Sequence, residues 1–319
     1  MPRHERLDFK GAIHYVRVVG RDGAEIFFDR STLTRFPKAP RHYAPHLQKF
    51  ELLLAATCEE RGATLHAYCL EPNSGVLLLN TEGAPLNSLM QRLCGGYSRY
   101  LRAEAHEVKP EVFATRYESK VIAPEYLPHA VRRAHYSPVA SGLCRRRVDY
   151  PFSSERAYTG ERPPIPIGMT DFRAALELKG HFGVRGYRDF MDQEESPYVA
   201  NLFTRGSPLD PRIVGSKLFV QQARHMAAHP VAAPTREQLI AGVAQLMKVS
   251  PTEILSATPV GTLGRALVAW YGLRSGAATL SEMGRWFSVT GASLGQAMHH
   301  YHEVSPHHFS LRALPGVSN

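Results

Sequence analysis

Between residues 12 and 137 the apolar positions switch between a strand-like and a helix-like period in a fixed order, and that order restricts the fold more than any other feature of the chain. The run AIHYVRVVG (12–20) is rich in β-branched residues and reads as a strand. In HYAPHLQKFELLLAATCEERG (42–62) the apolar residues recur at three and four residue steps, as on one face of a helix. ATLHAYCLE and GVLLLNT follow as two strands joined by Pro72, Asn73, Ser74 and Gly75, residues that favour a tight turn between antiparallel strands. A second helix over 85–106, a fourth strand within 112–122 and a third helix ending before Pro138 complete the series. The order βαββαβα predicts an α+β fold with an antiparallel, ferredoxin-like sheet and packed helices.

Past Gly160 the texture changes, with Pro163, Pro164 and Pro166 close together, a density common at domain boundaries. A chain of 319 residues with 44% hydrophobic composition can build more than one core. We therefore divide it into an α+β domain (1–160), a mostly helical connector (161–234) and a helical domain (235–319). Three capping boxes punctuate the last of these: Thr235 with Gln238, Ser250 with Glu253 behind Pro251, and Thr279 with Glu282. In each, a hydroxyl and a later side chain satisfy amides that the first helical turn leaves orphaned.

The formal charge of +9 and a pI near 9.5 favour a polyanionic partner, because neutralising phosphates releases condensed counterions. No stretch approaches the roughly eighteen apolar residues that a spanning helix needs, and the polar start MPRHERLDFKG does not read as a signal peptide. A cytoplasmic, nucleoid-associated protein is expected. Cys58, Cys69, Cys94 and Cys144 are widely spaced with no CxxC pair and read as reduced thiols.

Within the last domain TLSEMGRWF (279–287) reads as a short helix, SVTG (288–291) as a turn and ASLGQAMHHYHEV (292–304) as a second helix, the spacing of a helix-turn-helix. Leu294, Ala297, Met298 and Tyr301 fall on one face, which predicts that Ala292, Gln296, His299 and His300 look outward. Glutamine pairs with adenine edges, and serine or histidine contacts bases or phosphates, so Ser293, Gln296, His299 and His300 are the recognition candidates. The competing reading is a helix that only packs. Zinc binding by His299, His300 and His302 is disfavoured, since successive helical positions point about 100° apart. With PTREQLIAGVAQLMKVSPTEIL and LGRALVAWYGL before it, this segment resembles the C-terminal DNA-binding domain of the replication initiator DnaA over about 235–304. TGAS stands where a DHTT-like motif is usual, Ser293 retains a hydroxyl, and Arg265 alone remains of a basic loop. The resemblance implies binding to double-stranded DNA of promoter type, not to the initiator's own box.

Four collinear stretches of the first half, LHAYCLEPNSGVLLL, LMQRLCGGYSRYL, ATRYESKVI and RRAHYSPVASGL, with DYPFSSERAYTG closing the domain, resemble the REP-associated branch of single-tyrosine (HUH) transposases. That resemblance implies a strand carrying His-hydrophobic-His, whose imidazoles hold a divalent ion against the scissile phosphate. Ser74 and Val76 occupy those two places. The family's nucleophilic tyrosine aligns with Arg133, whose guanidinium cannot attack phosphorus but can grip a phosphate with two parallel hydrogen bonds. Arg116, Lys120, Arg132 and Arg133 are the phosphate-contact candidates of this domain, and Arg145, Arg146 and Arg147 read as a solvated run. The expectation is a DNA-binding transcriptional regulator that is not an enzyme, needs no cofactor or metal, and forms a homodimer through its sheet domain. An active, divergent transposase or single-strand nuclease is the alternative, with Tyr136, Tyr97 or Tyr100 as replacement nucleophile.

Overall fold

A computed structural model describes residues 6–35, 40–104, 111–114, 116–177, 180–181, 183–309 and 314. Two compact units emerge: Met1–Glu59 with Ala63–Glu82 and Leu86–Pro230, and Val231–Asn319 with Glu60–Gly62 and Gly83–Pro85. The connector expected at 161–234 is therefore not a separate layer, because its helices bury their apolar faces within the first unit.

In the first unit strand β1 (Ala12–Val19) and the single turn α1 (Thr32–Arg35) lead into α2 (Pro45–Arg61), the hairpin β2 (Ala63–Leu70) and β3 (Ser74–Thr81), α3 (Leu86–Glu104), β4 (Glu118–Ile122) and α4 (Leu127–Ala140). The sheet order β2-β3-β1-β4 with every neighbour antiparallel is the ferredoxin-like arrangement that the sequence predicts. A short β5 (Ile213–Val214) extends it, pairing parallel to β4 and breaking the purely antiparallel pattern. Residues 112–114 join no continuous strand with β4: Phe113 bridges Gly20, and the Ala114 amide donates to the Val19 carbonyl. At the opposite edge, residues 152–154 donate to and accept from Tyr68 and Leu70 and so cover β2.

One sheet face, with Val16, Val18, Leu77 and Leu79, packs on α2 and α3. The other, with Ile13, Val76, Leu78 and Ile122, packs on α4 and on α5 (Glu155–Tyr158), α6 (Thr170–Glu177), α7 (Gly183–Asp192) and α8 (Pro197–Arg205). Val220 and Ala223 of α9 (Lys217–Ala228) pack with Ile213 of β5. Contrary to the expected stop, α4 continues through Pro138, which lacks an amide to donate. Leu127, Ala130, Val131, Ala134 and Pro138 are all buried, and that burial offsets the missing bond.

A buried polar network ties these layers together. His135 of α4 is fully enclosed, its Nε2 lying 2.8 Å from Ser154 Oγ and its Nδ1 2.9 Å from the Tyr187 hydroxyl. Ser154 Oγ also accepts from the Tyr68 amide of β2 at 2.9 Å. Arg147 Nε lies 2.8 Å from Glu155 Oε1, proximity without a linear hydrogen bond.

In the second unit α10 (Arg236–Met247), α11 (Pro251–Leu255), α12 (Pro259–Arg274), α13 (Leu280–Trp286) and α14 (Gly291–Val304) surround a core of Leu239, Ile254, Leu267, Trp270 and Met283. All three predicted capping boxes form, on α10, α11 and α13. No helix among the described residues is long and apolar enough to cross a membrane, and the four cysteines are unpaired thiols.

Burial pushes Glu155 from 4.5 up to about 7, against the pull of Arg147. The unfolded chain releases that proton near 4.5 and the folded chain near 7, so its contribution to stability falls as pH rises between them. Glu155→Gln removes this loss. Denaturation from pH 4.5 to 7 is expected to show the variant gaining on the wild type by up to ~1.4 kcal/mol per pH unit; a difference constant with pH would contradict the assignment.

Candidate nucleic-acid interface

The register places Val76 of β3 opposite Arg17 of β1, and Leu78 opposite Tyr15, which in turn faces Lys120 of β4. Tyr15, Val76, Leu78 and Lys120 thus share the sheet face that α4 covers. Ser74 begins β3, buried, and its hydroxyl donates to Glu71 Oε2 at 3.3 Å. Ser137 of α4 and Ser141, which caps its C-terminal end, donate to the same carboxylate at 2.5 and 3.0 Å. Val76 is buried among aliphatic side chains and offers no donor atom to a cation. The position where the transposase resemblance implies two metal-bearing imidazoles therefore holds a hydroxyl turned onto its own hairpin and an isopropyl group. Among the described residues no three His, Cys, Asp or Glu side chains converge as a metal-binding group.

Three of the four cations expected to contact phosphate are engaged by residues 190–204. Arg133 donates to Glu195 through Nε at 3.2 Å and through Nη2 at 2.5 Å, and reaches the Ala200 carbonyl at 3.3 Å. Its guanidinium carbon also lies 4.9 Å from the centre of the Phe203 ring. Lys120 Nζ donates to the carbonyls of Phe203 and Thr204 at 2.6 and 2.8 Å, where the C-terminal end of α8 presents unsatisfied oxygens. Burial depresses the Lys120 ammonium below its usual range, with Glu118 pulling the other way and Arg133 adding to the depression. Arg132 donates to the Phe190 carbonyl at 3.3 Å. In all three, N–H groups that could meet a phosphate are engaged by the carboxylate and carbonyls of 190–204. Arg116 alone of the four candidates is exposed and without an ion pair to a described residue.

The basic run also divides. Arg146 pairs with Asp149 at 2.7 Å on the surface, while Arg147 turns inward to Glu155, to Asp192 at 2.9 Å and to the Tyr136 hydroxyl at 2.9 Å. The Tyr136 hydroxyl in turn donates to the Met191 carbonyl at 3.1 Å. Tyr97 is fully buried with its hydroxyl on the Ile26 carbonyl, and burial pushes it far above the usual phenol range. Tyr100 Oη lies 3.1 Å from His46 Nδ1.

In the second unit the helix-turn-helix forms, its second helix starting one residue earlier than the sequence reading, because Thr290 rather than Gly291 is the cap: its hydroxyl accepts from the Ser293 amide at 3.0 Å. Leu294 and Met298 are buried and Ala297 and Tyr301 half-buried, while Ala292, Ser293, Gln296, His299 and His300 are exposed. The four recognition candidates thus share one accessible stretch of α14. Arg265 does not join them. Its guanidinium donates to the Ile254 carbonyl at 3.3 Å, to the Ser256 carbonyl and to Thr262 Oγ1 at 3.0 Å, closing the C-terminal end of α11. The sequence reading passed over Arg285, exposed in the last turn of α13 and the one arginine or lysine between residues 279 and 304.

No family model matches the chain, and no curated protein matches it. Among solved structures, a REP-associated tyrosine transposase bound to a REP hairpin is similar over 53% of this chain and 92% of that chain, with a TM-score of 0.39 and 18% sequence identity.

Two variants test these placements. Arg133→Ala is expected to cost ~1–3 kcal/mol in urea denaturation while leaving duplex affinity within about twofold, since it breaks a half-buried pair rather than a phosphate contact; a large loss of affinity at unchanged stability would reverse that assignment. At Gly284 an added Cβ would lie 2.7 Å from the Val289 carbonyl oxygen and 2.9 Å from the Gly291 amide nitrogen. Gly284→Ala is therefore expected to destabilise the second unit by ~1–3 kcal/mol, measured by thermal denaturation.

Proposed function

We propose that this chain is a sequence-specific double-stranded DNA-binding protein, a transcriptional regulator derived from a transposase that has lost its chemistry, and that it acts as a homodimer. One observation carries the reading: α14, the second helix of a helix-turn-helix, exposes Ser293, Gln296, His299 and His300 while burying Leu294 and Met298. A helix so presented fits a major groove, where Gln296 pairs with an adenine edge and Ser293 and the imidazoles contact bases or phosphates. Arg285, on the preceding helix, supplies a cation for the backbone.

Support for the lost chemistry comes from Ser74, Val76 and Arg133. A hydroxyl bound to Glu71 and a buried aliphatic side chain replace the expected metal ligands, and a guanidinium clamped by Glu195 stands where the nucleophile belongs. The reading assigns no metal or cofactor to the protein.

Purified protein is expected to shift a promoter-type duplex, with Gln296→Ala and His300→Ala each weakening it by about 10–100-fold and relaxing preference at single base pairs. It is expected neither to nick nor to become covalently joined to a single-stranded hairpin in magnesium or manganese. Equal affinity of wild type and Gln296→Ala for the selected duplex would overturn the recognition role, and a tyrosine-linked adduct would overturn the loss of chemistry.

A further inference from the structure

On the sheet face opposite the one that α4 covers, a cleft of about 510 Å³ opens between α3 and the segment leading into β4. Its volume lies in the range of small-molecule sites. Val18, Met90, Phe113 and Tyr117 form an apolar wall, and the Arg6 guanidinium stacks 3.7 Å from the centre of the Tyr117 ring, making a flat cationic surface. Arg102 and Arg116 line the same cleft, exposed and without an ion pair to any described residue. The acid among the lining residues, Glu111, has its carboxylate taken by Arg21. Two amides, Asn87 and Gln91, are exposed on successive turns of α3 along the cleft.

The Tyr117 hydroxyl is buried, with no hydrogen-bond partner among the described residues, so the part of Tyr117 offered to the cleft is its ring. One further observation indicates a ligand rather than leftover surface. Gly95 sits in the interior of α3, where glycine is destabilising relative to alanine, and among the described residues only the tip of Arg99 lies near its would-be Cβ, at 3.7 Å. No packing demand from the described residues explains that glycine. Its effect is to leave helix backbone bare on the cleft wall, where a ligand can approach closely.

An apolar wall bearing two aromatic rings, exposed guanidinium groups and amide side chains together match the parts of a nucleotide: a flat base, a phosphate and polar base edges. The geometry points to this cleft as a binding site for a free mononucleotide, with Arg102 and Arg116 on the phosphate and the Arg6–Tyr117 stack against the base. The site belongs to the first unit and stands independently of duplex recognition by α14.

Calorimetric titration of the full chain with AMP, GMP, CMP and UMP, beside inorganic phosphate and a mixed-sequence single-stranded hexadeoxynucleotide, tests it. At least one mononucleotide is expected to bind saturably at one per chain and more tightly than inorganic phosphate. Gly95→Leu, which fills the cleft, is expected to abolish that binding. The exposed pair Arg102→Ala with Arg116→Ala is expected to weaken it by about tenfold or more and to flatten its salt dependence, without altering the circular dichroism spectrum. The proposal fails if no mononucleotide saturates by millimolar concentration, if only the hexadeoxynucleotide binds, or if the double arginine variant, correctly folded, binds as the wild type does.

Discussion

The clamp of Glu195 on Arg133 is the interaction on which the first unit's surface chemistry depends. Both oxygens of one carboxylate meet two nitrogens of one guanidinium, at 3.2 and 2.5 Å, which fixes the plane of Arg133 and holds the start of α8 against α4. The carbonyls at the far end of α8 then fall on Lys120. One nine-residue helix is thereby anchored at both ends by cations, Arg133 of α4 and Lys120 of β4, and its Phe203 ring packs edge-on against Tyr15, 5.9 Å centre to centre. Arg133 and Lys120, which read from sequence as phosphate contacts, are electrostatically satisfied within the fold.

The buried network around His135 has the opposite character. Its imidazole is held down to about 3 by burial, with Arg147 adding to the effect, so it remains neutral and serves as a hydrogen-bonding junction between α4, α7 and the segment at Ser154. A histidine beside a serine and a tyrosine resembles a nucleophilic arrangement in outline. Here the serine hydroxyl is enclosed and already bonded to the Tyr68 backbone, leaving no room for a substrate. The contacts join four segments distant in sequence, which specifies how α7 docks rather than what the protein transforms.

Much of this was legible in the sequence where local chemistry decides. Strand and helix order between 12 and 137, the three capping boxes and the inward and outward faces of α14 depend on residues within a few positions of one another. What the sequence concealed is long-range. Nothing local announces that Ile213 and Val214 join β4 in parallel, that α4 tolerates Pro138 because its face is buried on the sheet, or that Glu195, sixty-two residues away, claims Arg133. The same limit applied to Arg265, Lys120 and Arg147: a basic residue displays its charge in the sequence and its partner only in the fold. Arg285 is the reverse case, legible in the sequence as the single arginine of its motif.

The distribution of charge bears on how DNA would be held. Residues 231–319 carry six arginines and lysines against four acids, so most of the +9 lies in residues 1–230. Counterion release scales with the phosphates neutralised, at a slope of about 0.9 per contact on duplex DNA. A helix-turn-helix whose own segment holds Arg285 alone yields a shallow slope, and its discrimination then rests on hydrogen bonds from Gln296 and its neighbours. A steep slope instead requires cations from the first unit. Because Arg133, Lys120 and Arg132 are tied to residues 190–204, those cations would have to come from elsewhere on its surface, such as Arg116, Arg145 or Arg188. The salt dependence of the complex therefore separates a protein that reads DNA with one helix from one that also lays its sheet unit along the backbone.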